Sequence, residues 1–264
     1  MALSRYLRLL SIQLRTSLSL AMQYRADFLI DGAISIFWTV TALVPIFVVY
    51  ADRPTVAGWS FGAALLVVGW FTALQGVLEG AINPSLATVV EQIRQGTLDF
   101  TLLKPADAQF MVSTARFAPW RVTNAVSALV IFGIAFHKLG ALPSLWNLVG
   151  SLLLFANAIV LLYSMWIVTV SAAFYVVRVD NLSYLFGAIF DAARWPASIF
   201  RGAARFVFTF VIPLTLMTTY PAEALLGRMP PTTLVAALGG GCLAFVLSRR
   251  LWLSAIGRYT SASS

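Results

Sequence analysis

Six apolar stretches, each long enough to cross a bilayer, leave this chain few ways to fold. The hydrocarbon core is about 30 Å thick and a helix rises about 1.5 Å per residue, so runs of roughly 18 to 25 apolar residues read as crossing helices. Such runs cover residues 28–50, 61–82, 117–136, 145–177, 203–220 and 232–248. The fourth is long enough to tilt or to extend beyond the lipid. Charged residues are 11% of the 264, whereas a soluble domain carries about 25%. Lipid is therefore the main solvent, and the fold class is an all-α membrane protein in a single domain, 1–264. The net charge of +8 is spread singly among apolar runs, which excludes a nucleic-acid partner.

Orientation follows from where Lys and Arg fall. One set of segments holds fifteen of them, from Arg5, Arg8, Arg15 and Arg25 through Arg94, Lys104, Arg116 and Arg121 to Arg249, Arg250 and Arg258. The opposite set holds three, Arg53, Lys138 and Arg228. Both termini are thus expected in the cytoplasm. Residues 181–201 are apolar enough to suggest a seventh crossing, but Asp191 and Arg194 would then lie near mid-bilayer, at roughly 2.5–3.5 kcal/mol each. They are expected as a cytoplasmic-side elbow, with Arg178 to Arg205 all on that side. Residues 1–24 form an amphipathic helix in the membrane surface, with Leu3, Leu7, Leu10, Leu14, Leu18 and Ala21 on one face.

No catalytic, cofactor-binding or metal-binding set emerges. His137 and Cys242 each stand alone, and no phosphate-binding glycine loop occurs. Glu79 falls near the cytoplasmic headgroups, where it is expected to pair with a neighbouring arginine. Gly62, Gly69, Gly76 and Gly80 line one side of the second run, which suits close helix approach within the chain or between copies.

The loop at 84–105 carries more structure than a connector needs. Leu86, Val89, Val90 and Ile93 share one helical face, and Glu91, Gln92, Arg94 and Gln95 take the other. Gly96 suits a helix stop, and Pro105 ends the stub that follows. Such a loop reads as a docking element. In the fifth run Pro213 frees a backbone carbonyl. Thr215, Thr218, Thr219 and Tyr220 after it are candidate pathway residues, or else make ordinary interhelical hydrogen bonds. Ala222 to Leu226 suits a short helix stopped by Gly227.

The loop Ile93-Arg-Gln-Gly-Thr-Leu-Asp99 with Leu102-Leu-Lys-Pro105 resembles that of a type-2 ABC exporter permease, a bacterial membrane subunit that pairs with a separate ATPase. The basic N-terminal helix, Arg194-Trp-Pro196 with Ile199-Phe-Arg201, Ile212-Pro-Leu214 with Tyr220-Pro-Ala-Glu-Ala-Leu-Leu-Gly227, and the tail from Arg258 are similar as well. The resemblance implies the type-2 ABC exporter fold, with a coupling helix seated in a cytosolic ABC ATPase dimer. Its contacts would be Ile93, Arg94, Gly96, Leu98, Asp99, Leu102, Leu103 and Lys104. It also implies a second permease subunit, a heterodimer being favoured over a homodimer. ATP and Mg would be held by the ATPase, and the location would be the bacterial inner membrane. The alternative is a secondary carrier or scaffold that works without ATP. Ionisable groups at mid-bilayer would favour a carrier, and the six runs show none.

Overall fold

The computed structural model describes residues 2–23, 25–175 and 187–259. Helix α1 (Ala2–Gln23) precedes α2 (Arg25–Ala51), which contains Pro45. Two short strands, β1 (Thr55–Val56) and β2 (Trp59–Ser60), then form a hairpin. Its two central residues, Ala57 and Gly58, both have positive φ, of 50° and 85°. That is the twist a two-residue hairpin turn needs. This hairpin marks one end of the molecule; α1 and the loop after residue 94 mark the other, basic end.

Helix α3 (Phe61–Val77) starts at Ser60, whose side chain accepts a hydrogen bond from the Ala63 amide. A π turn (Leu78–Ile82) carries it without a break into α4 (Asn83–Arg94). The expected boundary between a span ending at 82 and a separate loop helix is therefore corrected. The 34-residue helix Phe61–Arg94 is about 51 Å long, roughly 20 Å more than the hydrocarbon core. Pro84 explains the π turn. It has no N–H to give the Gly80 carbonyl, which accepts instead from the Ala118 amide at 2.8 Å. The missing bond thus ties α3 to the segment leading into α7 (Val122–Leu139).

The glycine stripe belongs to that same contact. A Cβ at Gly62, Gly69, Gly76 or Gly80 would meet Leu139, Phe132, Asn124 or Arg121 in turn, at 2.6–3.2 Å. The descending partner numbers describe two antiparallel helices at close range, within one chain. Helix α8 (Leu145–Ala172) packs along α11 (Pro231–Ile256). There Asn157 donates to the Ala237 carbonyl at 3.0 Å, and an added Cβ at Gly241 would fall 1.8 Å from its Oδ1.

The fifth run is not one span. Helix α9 (Gly202–Phe206) and a π turn (Val207–Val211) lead to Ile212, which is extended at φ −119° and ψ 95°. Pro213 forces that break on the residue before it. The chain returns through a second π turn (Thr215–Thr219) into α10 (Tyr220–Leu225). Thr209 and Thr215 face each other across the fold, their hydroxyls 3.2 Å apart. Leu214 and Met217 are buried in the core at the tip. Ala222 and Leu225 pack with Trp59 and Ala63, and the Arg228 guanidinium lies 6.0 Å from the Trp59 ring. Residues 202–225 thus form a re-entrant hairpin that closes at the β-hairpin end.

The described part of the expected elbow, residues 187–201, packs away from the basic end. The elbow's first part, 181–186, lies outside the described residues. The rest does not flank the basic-end loop. Phe190 lies against Phe71 with ring centroids 5.2 Å apart, Trp195 packs in the cluster around Trp59, and Ser198 donates to the Ala57 carbonyl at 3.2 Å. Phe174, by contrast, packs on Trp252 and Tyr259 at the basic end. Phe174 and Ser198 therefore lie at opposite ends of the molecule. Phe71 lies ten residues from the start of α3, so Asp191 and Arg194 sit about 15 Å in, near mid-depth. Their charges are not bare. Arg194 pairs with Asp191 at 2.9 Å, donates to its carbonyl, and covers the Phe71 ring at 5.2 Å. Pairing and the cation–π contact offset the penalty that argued against this position.

Candidate coupling platform and membrane cavity

Beyond Arg94 the chain turns at Gly96, whose φ is +67°, and enters the short helix α5 (Asp99–Leu102). This one turn has two faces. Leu98 is fully buried, and Ile93 and Leu102 pack against the same core. Phe100 is 72% exposed and Leu103 81% exposed, with Lys104 exposed beside them. Arg94 pairs with Glu91 at 3.7 Å, half-exposed, and Asp99 is half-buried at the start of α5. The coupling set read from the sequence thus divides into anchors and an outward knob. Phe100 was missed. Its spacing of three from Leu103 puts both on one helical face, a signal already present in the sequence.

A polar node holds the knob to the bundle. Helix α6 (Ala108–Ser113) begins at Asp107, whose side chain accepts from the Phe110 amide at 3.0 Å. Arg249 of α11 ion-pairs with Asp107 and donates to Gln109 at 2.7 Å. Gln109 in turn donates to the Tyr163 hydroxyl of α8 at 2.9 Å, and Ser113 shares that hydroxyl at 2.7 Å. From α1, Arg5 donates to the Pro105 carbonyl, while the Tyr6 hydroxyl accepts from the Asp107 amide at 3.1 Å. Burial pushes the Asp107 carboxyl up, but Arg249 and the neighbouring amides outweigh it and hold it below the ordinary carboxylate range. A loop tied to α1, α8 and α11 moves with them rather than independently.

One family model, described as ABC-2 family transporter protein, matches residues 36–263. The chain belongs to that family. It is a multi-pass membrane protein, with five helices long and apolar enough to cross a bilayer among the described residues. No curated protein and no solved structure matches it.

The ABC-2 transporter chain also holds a cavity of about 680 Å³ between α2, α3, the start of α7 and the 191–194 turn. Its wall is polar for a membrane protein. Glu79 pairs with Arg121 at 2.5 Å and accepts from Gln75 at 3.2 Å, and Ser35 donates to Asn124 at 2.5 Å. The Asp191–Arg194 pair closes the deeper part. Ionisable groups at mid-depth, absent from the apolar runs, come here from the 191–194 turn. The threonines singled out in the fifth run face elsewhere. Thr218 is buried and donates to the Ala193 carbonyl at 2.6 Å, and Thr219 accepts from the Ala197 amide at 3.1 Å. Thr215 and half-buried Tyr220 line a separate cleft with Arg205 and Glu223. These hydroxyls fasten the re-entrant hairpin to the 191–197 turn.

Proposed function

We propose that this chain is the permease subunit of an ATP-driven exporter, working with a second permease and a separate cytosolic ATPase dimer that binds ATP and Mg. The observation that carries it is the Phe100–Leu103 knob. Two large apolar side chains stand free at the basic end, flanked by Arg94 and Lys104, on a loop braced by the Arg249 node. An apolar centre with a basic rim suits a protein cleft, and bracing suits force transmission. The basic end is the cytoplasmic one on the distribution of arginines, so both termini face the cytosol of a bacterial inner membrane. The cavity beside α2 forms part of the pathway, completed by a second permease, with a heterodimer preferred to a homodimer.

Cysteine at Leu103, in a chain whose Cys242 is replaced by Ser, should cross-link to the ATPase in the assembled complex. A cysteine at Leu142, equally apolar and exposed at the opposite end, should not. The Asp191–Arg194 and Glu79–Arg121 pairs favour a second reading, a carrier driven by ions. That reading requires transport that persists without the ATPase, and cross-linking at position 103 together with ATP-dependent transport excludes it.

A further inference from the structure

A groove of about 470 Å³ runs between α1, α3 and the segment entering α7. Leu14 and Leu18 form one wall, Ala73, Gly76 and Val77 another, and Phe117 to Val122 the third. It is apolar along its length apart from Arg15 and Arg121. Arg121 is already paired with Glu79. Arg15 is exposed and has no ion-pair or hydrogen-bond partner among the described residues. A second, shallower cleft on α1, lined by Ile12, Thr16, Ser19, Leu20 and Gln23, also includes Arg15. An apolar groove and a cleft of mixed character therefore share one unpaired guanidinium.

Depth fixes what such a site can hold. Along α3, Ala73 and Gly80 lie about 18 and 29 Å from Phe61, so the groove runs from near mid-bilayer to the headgroup level. Ser17, half a turn beyond Arg15, accepts from the Phe117 amide at 3.1 Å, and the next residue, Ala118, bonds to Gly80. Arg15 is thus at phosphate height. We propose that this groove binds one anionic phospholipid, with its phosphate on Arg15, one acyl chain in the groove and the other lying along the shallow α1 cleft. Arginine suits phosphate through its planar pair of donors, and an anionic leaflet attracts basic residues on a surface helix.

Occupancy bears on the coupling platform. The helix that would grip the lipid also donates from Arg5 to Pro105 and receives the Asp107 amide at Tyr6. A lipid seated there steadies α1, and through it the loop that carries Phe100 and Leu103.

The test is native mass spectrometry of the purified full chain released from nanodiscs of phosphatidylcholine and phosphatidylglycerol in equal amounts. Wild type should retain one phosphatidylglycerol in preference to phosphatidylcholine. Arg15→Gln should lower that preference about fivefold, and Arg15→Lys should keep most of it. Leu18→Trp, which fills the groove, should remove retention of either lipid. Equal retention of the two lipids by wild type would mean annular lipid only and would overturn the site. So would an unchanged preference in Arg15→Gln, or retention at wild-type level in Leu18→Trp.

Discussion

Arg249→Met asks whether the polar node clamps the coupling loop to the bundle. Methionine keeps much of the side-chain bulk and removes the donors. Two interactions are lost. The ion pair to Asp107 is about one-third exposed on each side, which puts it at the solvent-screened level of roughly 0.2–1 kcal/mol. Gln109 is buried, and its Oε1 loses a donor at 2.7 Å, at about 1–3 kcal/mol for an unsatisfied buried acceptor. The total is about 2 kcal/mol, which lowers Tm by about 4–8 °C in a protein of this size. The assay is thermal unfolding of the purified chain in one fixed detergent. The double variant with Asp107→Asn should lose less than the sum of the single changes, because the two residues share one contact. The pH dependence has a definite sign. Because the folded Asp107 carboxyl is held below its ordinary range, its stabilisation is complete above that range and is lost as pH falls through the lowered value. Arg249→Met should flatten that acid limb. A Tm within 1 °C of wild type (on the order of the usual assay error), with the acid limb intact, would refute the clamp.

Two further outcomes test the fold. Gly69→Val should destabilise by about 1–3 kcal/mol, because a Cβ there falls 2.6 Å from the Phe132 ring, whereas Gly133→Ala, with open space around it, should be neutral or slightly stabilising; equal effects in the same Tm assay would contradict the α3–α7 contact. With Cys242 replaced by Ser, a cysteine at Ser198 should react with a membrane-impermeant thiol reagent from the same side as one at Gly58, and one at Leu103 from the other side. Labelling of positions 198 and 103 from one face would restore the cytoplasmic elbow and overturn the placement of residues 191–198 at the β-hairpin end.

Much of this architecture is legible in the residues, and what is not has physical causes. Five of the apolar runs hold helices long and apolar enough to cross a bilayer among the described residues, because length and hydropathy alone decide such a crossing. The glycine stripe foretold a close contact, although its partner, α7, appears only once Phe132 and Asn124 are seen opposite. The π turn before Pro84 depends on the Ala118 amide, 38 residues beyond Gly80, and no local pattern carries that bond. The place of the 191–194 turn was hidden for a related reason. Counting Asp191 and Arg194 as bare charges forbids a mid-membrane place, yet their mutual pair over Phe71 makes it tolerable. At the coupling loop the helical turn and its stop were readable, but Leu98 and Leu103 look alike in a sequence. Only packing shows that one is an anchor and the other part of the knob with Phe100.

Coupling to a separate ATPase is tested most directly by stimulation of that ATPase. Phe100→Asp with Leu103→Asp places two charges on side chains that touch nothing in this chain's core, so stability should stay within about 1 kcal/mol of wild type. Permease-stimulated ATP hydrolysis in the reconstituted complex should fall to the level of the ATPase alone. Leu98→Ala, by contrast, should lower Tm through a cavity worth about 2–5 kcal/mol. Full stimulation by the Phe100→Asp, Leu103→Asp chain, correctly inserted and folded, would contradict the assignment of this loop as the link to the motor.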